Sequence, residues 1–207
     1  MTRSTTKGEE TRSLILRRAF AMASTVGLEG LTIGSVAKAA EMSKSGVYAH
    51  FDSKEELQLQ VLQTAVQRFI DQVARPIISL PRGEPRVRAF FDNWRAWARG
   101  TELPGGCVFI SAAVELDDRP GALRDYFVET QRQALQTAAR AASIAVEEGH
   151  FRADLDIEQF AHDLYSIILV YHHFDRLFDD PKAAERALRS FEDLMDRSRN
   201  VPRNALN

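Results

Sequence analysis

Apolar residues recur at steps of three and four along most of this 207-residue chain. That is the period of helices with one buried face. Ile15, Ala19, Met22, Ala23 and Val26 predict a first helix over 9–25, closed by Gly27, which tolerates the positive φ of a helix end. Ile33, Val36, Ala37 and Ala40 predict a shorter helix behind Thr32, whose hydroxyl suits an N-cap. Glu41 and Met42 make a turn, and Ser43 caps a third helix over 44–50 with Val47 and Phe51 inward. Ser53 and Glu56 spell a capping box before a long helix over 54–75, lined by Leu57, Val61, Leu62, Ala65, Phe69 and Val73.

The same reading continues to the C-terminus. Val87, Phe90, Phe91, Trp94 and Trp97 predict a helix over 86–99, and Ala112 and Ala113 lie in a small-surfaced one over 108–116. Leu123, Phe127, Thr130, Ala134, Ala138, Ala141 and Ala145 line a helix over 121–148. Phe160, Leu164, Ile168 and Tyr171 line one over 157–178 that is apolar on more than one face. Ala184, Leu188, Phe191 and Met195 line the last, over 182–197, which Asp180 is expected to cap with Pro181 at its first position. No strand pattern and no repeat is found, so the expected class is all-α. A helix that is apolar nearly all round needs cover on both sides. The final two helices therefore suggest a four-helix bundle made by two subunits, with Ile168, Tyr171, Leu188, Phe191 and Met195 as its interface.

Composition narrows the class. The net charge of −2 divides unevenly, +3 over residues 1–51 and −5 over the remainder. A basic head on an acidic body favours an anionic partner for the head, although +3 over fifty residues is also ordinary surface variation. No run of about 18 apolar residues indicates a membrane span, and the first ten residues lack an apolar core for a signal peptide. One cysteine, Cys107, cannot form an internal disulfide, so a reducing cytoplasm is expected.

Residues 32–51 have the layout of two helices about a tight turn, in which the second helix enters the DNA major groove. The outer side of that second helix carries Lys44, Ser45, Tyr48, Ala49 and His50. Small hydroxyls and a lysine at a helix N-terminus suit phosphate. The run Ser43-Lys44-Ser45-Gly46-Val47-Tyr48-Ala49-His50-Phe51, followed by Ser53-Lys54-Glu55-Glu56-Leu57, resembles the signature of the TetR family of bacterial transcriptional regulators. The likeness extends upstream through Gly27, Gly30, Leu31, Thr32, Val36 and Ala37 and covers about the first quarter of the chain. It departs from the family at Glu41, where glycine is usual in the turn, and at Ala49, where an aromatic residue is common.

The resemblance implies a three-helix DNA-binding head over 1–53 and a larger helical effector-binding and dimerisation body over 54–200; the polar residues 201–207 are expected to form a loose tail. It implies a homodimeric repressor that reads a palindrome in double-stranded DNA and is released by a small-molecule effector. Thr32, Ser43, Lys44 and Tyr48 are expected to hold phosphates, and Ser45, Ala49 and His50 to face base edges. Lys54 reads equally as a phosphate contact or a surface lysine. Arg3, Lys7 and Arg12 are in the same position, because the first helix approaches DNA in related proteins.

In the body, Trp94, Trp97, Cys107, Phe109, Tyr126, His162, Tyr165 and His172 are candidates for an effector pocket. Each reads as well as a core residue, and Cys107 as a buried thiol or a sensor. His162 and His173 lie eleven residues apart, three turns along one helix, and cannot ligate one ion together without a partner chain; no His-x-x-x-His pair exists, and neither metal nor cofactor is expected. G-x-S-x-G, P-loop, G-x-G-x-x-G and His-Glu-x-x-His motifs are missing, which argues against an enzyme. A helical adaptor that docks a protein on its Trp/Phe face is the other competing class.

Overall fold

The computed structural model describes residues 7–200; the residues N-terminal to Lys7, which include Arg3, and the 201–207 tail lie outside them. The described residues form α1 (Lys7–Val26), α2 (Ile33–Ala39), α3 (Lys44–Tyr48), α4 (Lys54–Phe69), α5 (Glu84–Trp97), α6 (Val108–Leu116), α7 (Ala122–Glu147), α8 (Ile157–Arg176) and α9 (Ala183–Ser198). No strand occurs among them, only an isolated antiparallel bridge between Phe151 and Arg199. None of these helices is long and apolar enough to cross a membrane. The all-α expectation therefore holds.

The helices gather into two compact units, each made of two chain segments. One combines 1–68 with 99–128, the other 69–98 with 129–207. In the first, Ile15, Phe20, Leu28, Leu31, Val36, Val47, Phe51, Leu57 and Leu62 are fully buried. Local chemistry sets the ends of these helices. Gly27 takes φ +74 and ends α1. Ser53 Oγ accepts the Glu56 N–H (3.0 Å) at the start of α4. The Glu56 carboxylate reaches back to the Asp52 N–H (2.7 Å), one residue before the expected partner.

The second unit is centred on Phe90, Phe91, Phe151, Phe160 and Phe191, all essentially without exposure. Phe91 and Phe191 stack with ring centroids 4.0 Å apart. Around that stack, Arg88 pairs with Glu192 (2.6 Å) and Glu84 (2.8 Å), and Arg199 with Glu84 (2.7 Å). Hydrogen bonds from Arg199 and then Arg88 hold the Glu84 carboxyl down at about 2, against the opposing effect of burial.

Three expectations about elements are corrected. The long helix over 54–75 is regular only to Phe69; Ile70–Ala74 widens into a π-turn and Pro76–Ser79 is a 3-10 turn. Pro76 has no N–H and its ring crowds the turn before it, and the Arg75 N–H drops back to the Ile70 carbonyl instead (2.7 Å). Asp180 does not cap the last helix: its carboxylate takes the Lys182 N–H (2.9 Å) in a local turn, and α9 starts at Ala183. The buried face of α9 is Ala183, Ala187, Phe191, Leu194, Met195 and Ser198, so Ala184 is only half-buried and Leu188 is 42% exposed.

Candidate functional site

The helix–turn–helix is built by three local devices. Thr32 caps α2: its Oγ1 accepts the Ser35 N–H (3.0 Å), and Ser35 Oγ accepts the Thr32 N–H (3.0 Å). Glu41 makes the turn at φ +56, the left-handed conformation that glycine adopts without cost. Ser43 caps α3, accepting the Gly46 N–H (3.0 Å), and its hydroxyl sits 3.0 Å from that of Ser45. Val47 and Phe51 turn inward and are fully buried. That leaves Ser43, Lys44, Ser45, Tyr48 and Ala49 exposed as one polar face, with Tyr48 52% exposed.

Lys44 lies across the start of α2: a methyl group placed on Gly34 would stand 3.1 Å from its Cε and 3.6 Å from its Nζ. Its ammonium and the Thr32 hydroxyl thus flank one spot. His50 is half-buried at the end of α3, and its carbonyl is held by the Arg12 guanidinium. Arg12 also covers the Phe51 ring at 4.6 Å and pairs with Glu56 (3.4 Å). It therefore ties the end of α3 and the start of α4 to α1. Lys54 is likewise engaged: its Nζ donates to the Glu29 carbonyl (2.9 Å) and pairs with the Glu29 carboxylate (3.4 Å). Burial would raise the Glu29 carboxyl, but the Arg119 hydrogen bond and the Lys54 charge outweigh it and lower it.

The pocket candidates divide between the units. Cys107 and Phe109 are buried in the first unit at the start of α6. Tyr126, in the same unit, is half-buried, and burial pushes its phenol up. In the second unit Trp94 and Trp97 both meet Phe69 edge-on, at 5.4 and 5.7 Å, and Trp94 lies 5.7 Å from Tyr165. The Tyr165 hydroxyl donates to Gln131 Oε1 (3.1 Å). Trp94 is only 5% exposed, yet its indole N–H has no hydrogen-bond partner among the described residues. A buried donor left unmade costs about 1–3 kcal/mol. Phe69 and Gln131 were absent from the candidates because nothing local marks them.

His172 is half-buried and burial, with the nearby Arg176 charge, lowers its imidazole. His162 is separate from this group: it is exposed beside Asp163 (3.6 Å) and Gln159. The interface expectation needs correction as well. Ile168, Tyr171, Phe191 and Met195 are covered within their own chain and have no surface to give a partner. Leu188 is the exposed member of the five. The apolar surface that does remain open on α8 and α9 includes Val170, and a groove of about 360 Å³ there is lined by Ile167, Val170, Phe174, Ala183 and Arg186.

Two family profiles match the chain. Residues 15–61 match "Bacterial regulatory proteins, tetR family", and residues 83–191, more than half of the chain, match "Tetracyclin repressor-like, C-terminal domain". The chain belongs to the TetR family. It is thus a TetR-family transcriptional regulator with a helix–turn–helix DNA-binding domain. Solved structures share its fold. A TetR regulator from Chloroflexus aurantiacus J-10-FL is 24% identical, with a TM-score of 0.85 over 94% of this chain and 99% of that one. AibR, in complex with isovaleryl coenzyme A and operator DNA, is 19% identical, with a TM-score of 0.71 over 91% and 99%. A regulator from Saccharomonospora viridis in complex with choline is 18% identical, with a TM-score of 0.79 over 93% and 99%. No curated protein matches.

Proposed function

We propose that this TetR-family chain is a cytoplasmic repressor, not an enzyme, that binds a palindromic operator as a homodimer and leaves it when a small molecule occupies the body. The head is 1–53 and the body 54–200. The observation that carries this reading is the outer face of α3. Ser43, Lys44, Ser45, Tyr48 and Ala49 are exposed together, while the helix holds its place through Val47 and Phe51. Thr32, Ser43, Lys44 and Tyr48 hold phosphates; Ser45, Ala49 and His50 face bases. AibR, which shares the fold, is in complex with operator DNA, which supports the assignment.

Release follows from differential affinity: an effector that prefers a state with mismatched heads weakens DNA binding by that preference. The effector offers an acceptor oxygen to the Trp94 indole N–H and apolar surface to Phe69, Trp97 and Tyr165. The dimer forms through the open apolar surface of α8 and α9, Leu188 and Val170 included. The two α3 helices then stand about 34–36 Å apart or a multiple of one DNA turn.

Selection of bound duplexes from random oligonucleotides tests the reading directly. The expected product is a palindrome whose affinity falls steeply with salt and is lost with a metabolite pool that carries the effector. Recovery of no sequence above background, or binding indifferent to salt, would overturn it.

A further inference from the structure

We propose that Glu115, near the C-terminal end of α6, is a positioning residue for DNA binding: its carboxylate holds the turn between α1 and α2 and so sets the pitch of the reading helices. This rests on the DNA-binding reading above and extends it to a residue outside the helix–turn–helix.

The turn after α1 has two amides without helical partners, those of Leu28 and Glu29. Both donate to one oxygen, Glu115 Oε2, at 2.9 and 3.1 Å, across 87 and 86 residues of sequence. Hydrogen bonds to an ionised acceptor are roughly twice as strong as neutral ones. A side chain at 27 would displace the carboxylate: a methyl group on Gly27 would stand 1.5 Å from Glu115 Oε1. Glycine at 27 therefore serves both the positive φ and the carboxylate.

The contact is extended on both sides. Glu29 pairs with Arg119 (2.9 Å), which follows α6, and with Lys54 (3.4 Å) at the first turn of α4. Before α6, the Gly105 N–H donates to Ser24 Oγ (3.0 Å), and a methyl group on Gly105 would stand 1.6 Å from the Ser24 carbonyl oxygen. The segment that carries α6 is thus fastened to the end of α1 at two points. Two points define a direction, whereas one leaves a swivel.

Packing alone would keep the head folded. Leu28 and Leu31 are fully buried, and the Leu28 carbonyl is taken by Gln58 Nε2 (2.7 Å). What Glu115 adds is orientation. Thr32, the cap of α2, stands three residues beyond Glu29, so α2 and α3 inherit the pitch of this turn. A pair of heads with a fixed pitch fits one half-site spacing; a pair with a loose pitch accepts several and fits none as well.

The test uses the full-length protein, its selected operator, and the same half-sites with spacers one and two base pairs shorter or longer. Wild type should discriminate against altered spacers by about tenfold or more, within the usual range of coupling between sites. Glu115→Ala should bind the best spacer about tenfold more weakly, lose most of the discrimination, and leave non-specific DNA binding unchanged. The Leu28 and Glu29 amides should exchange with solvent faster. Glu115→Gln keeps an acceptor oxygen in place and should retain most of the discrimination. If Glu115→Ala does not fold, Glu115→Asp, which draws the carboxylate back by one methylene, carries the same comparison. Wild-type spacer preference in the Ala or Asp variant overturns the assignment. Failure of the wild type to bind any selected DNA overturns the DNA-binding reading instead.

Discussion

In the first unit the helices that face DNA in the proposed reading are seven and five residues long. Helices that short do not persist alone; caps at Thr32 and Ser43 and a few buried apolar side chains hold them. In the second unit α8 and α9 run 20 and 16 residues. Phe191 of α9 stacks on Phe91 and Glu192 pairs with Arg88, while Phe160 of α8 meets the Phe151 ring and Asp163 pairs with Arg197 of α9. In that reading the head exposes the residues that contact DNA and hides those that merely fold. In the same proposed reading the body uses one kind of residue, large and apolar, for core, for ligand surface and for subunit contact. A substitution on the exposed face of the head should therefore change DNA binding with little change in stability, and one in the buried core of the body the reverse.

The largest expected effect is Phe91→Ala in the body. Losing the stack on Phe191 should cost about 3–5 kcal/mol, read as a fall in Tm, with sequence preference on DNA unchanged in the folded fraction. Acid should act on the same region. Glu84 titrates at about 2 instead of its ordinary 4.5, so its stabilising contribution is complete above the ordinary value and is lost as pH falls from 4.5 towards 2. The gap in Tm between wild type and Glu84→Gln should be widest near neutrality and close over that window; a gap that stays constant would remove Glu84 from the network.

Leu188→Glu places charge on the open surface of α9 and should weaken dimerisation by about tenfold or more, on the order of 1.4 kcal/mol, in sedimentation, without lowering the Tm of the monomer. Tyr48→Ala in the head should weaken binding to every DNA sequence by a similar or smaller factor, since phosphate contacts carry no sequence information, and replacing Ala49 should alter preference. A change of preference in the Tyr48 variant would move that side chain to the base edges. The smallest effect is expected at the turn. Glu41→Gly relieves a left-handed residue worth about 1 kcal/mol and removes a negative charge beside α3, so both stability and DNA affinity should rise slightly.

Thr32, Ser43 and Gly27 were legible in the sequence because a cap or a helix stop is settled within one turn of backbone. The exposed face of α3 was legible for the same reason: once Val47 and Phe51 point inward, Ser45, Tyr48 and Ala49 must point out. The fate of Lys54 was not legible, since its partner Glu29 stands 25 residues earlier. Nor was that of Arg12, which holds the His50 carbonyl. The phase of α9 escaped because Ala184 and Leu188 satisfy the helical period as well as Ala183 and Ala187 do. Only the stack of Phe191 on Phe91 and the pairing of Glu192 with Arg88 choose between them.

The sequence by itself determined an all-α chain, a capped helix pair with a polar outer face, and the family that pair belongs to, all from interactions between residues a few positions apart. Only the tertiary structure decided which apolar residues are core and which stay open, and which charges are already spent on a partner. It also brought Glu115 onto the amides of Leu28 and Glu29. The physical reason is range: helical period and capping act over three or four residues, whereas burial and ion pairing depend on side chains that folding brings together from as many as 115 positions away.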